Sequence, residues 1–127
     1  MELDLEQIAI LLQRRYNWLR EVKKLTGEML DSVSRHDEIS FGLLLQMRAE
    51  VLAKYDASQE ELWNQAEKGP EALSELRRLL REDPDTAEKV TESVEKKIYE
   101  LRKKTRILIQ EIQNQDKILN QRVNSRR

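Results

Sequence analysis

One seam in the C-terminal third constrains this chain more than anything else in it. Stepping alternately four and three residues from Ala87 gives Thr91, Val94, Ile98, Leu101, Thr105, Leu108, Ile112, Gln115, Leu119 and Arg122. That is the heptad rhythm of a helix with one face to bury. Asp85 followed by Glu88 has the pattern of a capping box, and Pro84 interrupts any earlier helix. The spacing therefore predicts a long helix over 86–124. After Ile112 the stripe thins into Gln113, Asn114, Gln115, Asn120, Gln121 and Asn124, with Ile118, Leu119 and Val123 interspersed.

The segments upstream supply partners for that seam. Over 4–35, Leu5, Ile8, Leu12, Leu19, Val22, Met29 and Val33 stand at three-four spacing, with Arg15 and Thr26 in the two gaps. Leu11, Trp18 and Leu25 form a second row, so this face is broad enough to touch two neighbours. Gly27 inside the pattern costs about 1 kcal/mol relative to Ala, which a helix this long absorbs. Arg35, His36 and Asp37 mark a boundary, with Asp37 able to cap a second helix over 38–67. There Phe41, Leu45, Leu52, Tyr55, Leu62 and Ala66 form one row and Leu44, Met47 and Val51 its neighbour, interrupted by Arg48. An arginine among these aliphatics needs a carboxylate or a helix-end carbonyl as partner, unless its stem covers the row while its head reaches water, which is the simpler reading. Gly69 and Pro70 open a brief third helix over 70–82 carrying Leu73, Leu76, Leu79 and Leu80, and Asp83, Pro84 and Asp85 close it.

With 37% charged residues, 5% aromatics, three glycines and two prolines, long amphipathic helices are favoured over a sheet. The expected architecture is all-α: a single domain over 1–127, an antiparallel bundle of three long helices plus one short helix, with the C-terminal helix longest. At about 1.5 Å per residue the long helices measure roughly 48, 45 and 58 Å, so 113–127 is expected to be a protruding or mobile amphipathic tail. A segment without a task rarely needs Ile107, Leu108, Ile109, Ile112, Ile118 and Leu119 so close together. Such an end finds a partner, pairs with its own copy, or stays mobile.

Chemistry is sparse. With no cysteine there is neither a disulfide nor a thiolate metal site. His36, the only histidine, reads as a surface or capping residue, and Val33 stands where a Glu-x-x-His metal motif needs its carboxylate. No phosphate loop or nucleophilic triad is recognisable, so neither catalysis nor a cofactor or metal is expected. The longest aliphatic run, Ile8 to Leu12, is far short of the roughly 18 residues a membrane span needs, and acidic Glu2, Asp4 and Glu6 stand where a secretory signal would be basic; a cytoplasmic location is expected. Net charge is −1, yet residues 96–127 hold ten Lys or Arg against three acids. Basic and acidic helices attracting one another within the bundle explain that asymmetry. Nucleic-acid binding ranks below it, since no aromatic residue follows Tyr99 to stack on a base.

Asp37, Phe41, Leu44, Leu45 and Arg48 resemble a D-x3-[FL]-x2-LL-x2-[RE] pattern, and Ile112 to Val123 is similar to an Asn-containing apolar tail. Both belong to the small cytoplasmic chaperones of bacterial flagellar export, the FlgN and FliT kind, whose layout of a helical pair, a shorter helix and a long final helix the chain also resembles. The resemblance implies an ATP-independent secretion chaperone that holds a helical segment of a hook-associated or filament-cap subunit. Its client contacts would be Leu108, Ile112, Ile118, Leu119 and Val123, assisted by Asn120. The alternative is a structural coiled-coil protein that forms a homodimer or joins a scaffold through the C-terminal helix.

Overall fold

A computed structural model describes residues 3–82 and 93–125, and every regular element among them is helical. Helix α1 spans Leu5–Ser34, α2 Glu38–Asn64, α3 Pro70–Arg81 and α4 Ser93–Asn124. A single 3-10 stretch, Gln65–Lys68, tightens the end of α2. The expected capping box at Asp85 and Glu88, Pro84 and the first seam positions Ala87 and Thr91 lie outside the described residues.

Each visible helix start has a local cause. Asp4 accepts from the Gln7 amide at 3.1 Å, and Asp37 accepts from the Ser40 amide at 3.0 Å, so both satisfy a donor the first turn would leave orphaned. The same Ser40 contacts hold the Asp37 carboxyl below its ordinary range. Pro70 sits at the start of α3, where its missing N–H costs nothing. Gly69 before it has φ 145°, a conformation that side-chain-bearing residues rarely adopt. Between α1 and α2 the His36 amide donates to the Val33 carbonyl at 3.1 Å and the Asp37 amide to the Ser32 carbonyl at 2.8 Å, the paired closure of a Schellman turn. The left-handed position that usually takes Gly is filled by His36 at φ 58°.

The long helices run up, down and up. Helix α1 lies between the other two and packs extensively on both, whereas the backbones of α2 and α4 seldom approach one another. Helix α2 is antiparallel to α1, while α4 runs parallel to it, Ile8 lying with Ile98 at one end and Met29 and Val33 with Leu119 at the other. The short α3 covers the lower end, where Leu76 and Leu79 join Ile8, Leu11, Leu62, Ile98 and Tyr99.

Three apolar layers alternate with two polar ones. Above the lower layer, Arg15 is buried: it donates to the Tyr55 carbonyl at 2.9 Å and to Ser58 Oγ at 2.6 Å, and its guanidinium lies 4.0 Å from the centre of the Tyr55 ring. Leu19, Val22, Leu108 and Ile112 form the middle layer. Above it, Arg48 Nη1 meets Asp116 Oδ1 at 2.6 Å and Thr26 Oγ1 at 3.2 Å, before Met29, Val33 and Leu119 close the top. The two gaps in the α1 heptad, Arg15 and Thr26, are thus the two polar layers. The expectation that Arg48 reaches water is corrected: it turns inward and is paired with a carboxylate from α4. The α2 row changes accordingly. Phe41, Leu44, Arg48, Val51, Leu52, Tyr55, Ser58 and Leu62 face inward, whereas Leu45 and Met47 are exposed.

The upper end of α4 differs from expectation. With 30, 27 and 32 residues, the three long helices measure about 45, 40 and 48 Å, so the described part of α4 exceeds α1 by about 3 Å. At its upper end Arg122 Nη1 donates to Ser34 Oγ, on the last residue of α1, at 3.2 Å, and Val123 packs on the top apolar layer. The described end of α4 finishes level with α1, and no two-turn surplus stands clear of the bundle.

Candidate functional site

Helix α4 presents two faces to its own chain and one to the outside. Of the residues expected to meet a partner, Leu108, Ile112 and Leu119 are buried against α1, and Val123 is half-buried in the same core. Their aliphatic side chains are consumed by Leu19, Val22, Met29 and Val33, so the expectation that all four face outward is overturned. Ile118 and Asn120 are exposed. Two residues apart on a helix, they stand roughly 200° around the axis from each other and do not share a surface. The heptad seam was read correctly as a buried face; what it could not say is that the burying partner is α1.

Ile107, 56% exposed, and Ile118, 43% exposed, are a different pair. Eleven residues is close to three helical turns, so both lie along one line of α4, beside the groove where it meets α1. The groove is shallow and encloses about 460 Å³. Tyr16, Gly27, Ile107 and Leu108 line it together with Arg20, Lys23, Lys24, Lys104, Glu111 and Gln115. Lys23 and Glu111 are bonded to each other across it, which ties α1 to α4 midway along. Gln115 Nε2 donates to the Lys23 carbonyl at 3.3 Å, while its Oε1 is buried without a hydrogen-bond partner among the described residues. Arg20, Lys24 and Lys104 make no ion pair among the described residues. Sequence reasoning counts Lys104 in the basic C-terminal third but passes over Arg20 and Lys24, each of which, taken singly, looks like an ordinary solvated face. The spacing of Ile107 and Ile118 was the available signal.

A second exposed apolar face belongs to α2. Ile39, Leu43, Leu45 and Met47 are all exposed, and beyond Gly42 there is open space where a Cβ would stand. Leu43 and Met47 also border a smaller groove against Glu28, Asp31 and Arg35 of α1. At the opposite end of the molecule the polar contacts are structural. Arg78 bridges Glu75 and Glu82 of its own segment to Glu95 of α4, at 2.5, 3.3 and 2.6 Å, while the Tyr99 hydroxyl donates to Glu82 at 2.6 Å. Burial, reinforced by the bond to Glu82, pushes the Tyr99 phenol up to about 12. The same bond holds Glu82 low.

Among the described residues, no cluster of three or more His, Asp or Glu side chains could hold a metal ion, and no helix is long and apolar enough to cross a membrane. No family model, curated protein or solved structure matches the chain.

Proposed function

We propose that this chain is a non-catalytic, helix-holding chaperone: it receives an amphipathic segment of a protein client along the α1–α4 groove. The observation that carries this reading is the exposed line from Ile107 to Ile118 beside a groove between two parallel helices. A third helix laid there would complete a local three-helix contact of the ridge-and-groove kind. Burying what is still exposed of both isoleucines, about half of each side chain, would contribute about 1 kcal/mol each before the costs of association. The flagellar client implied by the resemblance, a hook-associated or filament-cap subunit in the cytoplasm, is the specific form of this proposal. The predicted contacts then divide into two roles. Ile118 touches the client, and Leu108, Ile112 and Leu119 hold α4 in place beneath it.

The test is co-purification of the helical end of such a subunit with the wild-type chain and with an Ile107→Asp, Ile118→Asp variant. Both positions are exposed, so the melting temperature should be unchanged while retention falls at least tenfold. Retention equal to wild type would remove the groove from the reading. The α2 face favours a second reading, self-association. In that case light scattering on the same samples shows a mass twice that of the chain, insensitive to both aspartates.

A further inference from the structure

We infer that the segment this groove takes is an acidic amphipathic helix, carrying Asp or Glu on both flanks of an aliphatic stripe. The inference rests on the helix-holding reading above and specifies the partner's chemistry.

The groove lining contains four cations, Arg20, Lys23, Lys24 and Lys104, against one acid, Glu111, in a chain whose net charge is −1. Glu111 is already neutralised by Lys23 across the groove. What remains is two cations on the α1 rim, Arg20 and Lys24, one turn apart, and one on the α4 rim, Lys104, none of them in an ion pair among the described residues. These rims flank Ile107, Leu108 and Tyr16. The pattern is therefore cation, apolar floor, cation across the width of the groove. Its complement is a helix whose apolar stripe is bordered by carboxylates on both sides, and a Lys-flanked helix would set like charges together along both rims.

Shape decides between anionic partners. A concave trough between two helices does not match a flat anionic bilayer. A phosphate backbone would gain from the lysines but would leave the exposed Ile107 facing nothing apolar. A helix satisfies both the rims and the floor. At Gly27 the missing side chain keeps the α1 wall low, and an added Cβ would come 3.7 Å from Gln115 Nε2.

The experiment uses the full chain and three synthetic 21-residue peptides in fluorescence anisotropy. One carries a Leu stripe flanked by Glu, the second has Lys in place of every Glu, and the third is the Glu peptide scrambled so that no stripe forms. The Glu peptide should bind at least tenfold tighter than either companion and weaken steadily with added salt. Arg20→Glu, Lys24→Glu and Lys104→Glu together should reverse the preference between Glu and Lys peptides, with circular dichroism unchanged. If the Glu and Lys peptides bind alike and Ile107→Asp weakens both, the helix-holding reading stands and the acidic specification is overturned. Binding of neither peptide overturns both. A labelled DNA duplex that binds more tightly than the Glu peptide overturns the inference in favour of nucleic acid.

Discussion

At the scale of single residues, two positions show how local chemistry sets the behaviour of the chain. His36 occupies the left-handed position of the turn after α1, where a side chain costs roughly 1–2 kcal/mol that glycine does not incur. Part of this is offset by the extra backbone entropy glycine loses on folding. His36→Gly should therefore stabilise the chain by about 0.5–1 kcal/mol in urea unfolding. Tyr99 is the second. Its folded value lies above the ordinary value of 10.0, so the neutral phenol is the form the fold favours. Its contribution is fully present below pH 10 and is lost as pH rises from there towards about 12. Alkaline titration of stability should consequently show a steeper loss over that interval in the wild type than in Tyr99→Phe.

At the scale of elements, much was legible and the failures have physical reasons. Helices α1 and α3 stand within a residue of where their periodicity and the Gly69–Pro70 punctuation place them, because both are strongly one-sided. Helix α2 is not. Its N-terminal half is apolar on several sides, so spacing alone leaves the rotation of its rows open and points Leu45 and Met47 inward and Arg48 outward. The tertiary partner, Asp116, sets that orientation; an arginine in an apolar row asks for a carboxylate, but nothing within α2 says that it lies 68 residues away. The end of α4 failed differently: a heptad seam is equally satisfied by another molecule or by the same chain. Gly42 supplies a test at this scale. It interrupts α2 with nothing within 4 Å of where a Cβ would stand, so Gly42→Ala should raise stability by about 1 kcal/mol and the melting temperature by a few degrees. A loss of stability instead would mean that something closely packed covers this face in solution.

At the scale of the whole molecule, α1 carries the architecture because both other long helices are fastened to it. The candidate groove follows from that arrangement, since α4 can lie parallel to α1 and leave a continuous trough only because α2 returns the chain to the lower end, where α3 covers the core. The upper polar layer is where α1, α2 and α4 meet at once through Thr26, Arg48 and Asp116. Asp116→Ala should cost about 1–2 kcal/mol, allowing for a pair that is partly in contact with solvent, because it leaves the mostly covered guanidinium of Arg48 without its carboxylate. Arg48→Met combined with Asp116→Leu should recover most of that loss, and a double-mutant cycle in urea measures the coupling directly.

The alternation of greasy and polar layers has a further consequence for how the chain avoids folding wrongly. Aliphatic layers alone are interchangeable, and α2 could slip by seven residues along α1 with little change in the area it covers. Such a slip would bring Arg48 opposite Leu19 or Val33 and would separate Arg15 from the Tyr55 carbonyl and Ser58, stranding two cations among hydrocarbon at a cost of several kcal/mol. The two arginines thus work as the teeth of a key that turns in one position only, and a variant with both filed down to methionine should keep its helices while losing its single alignment.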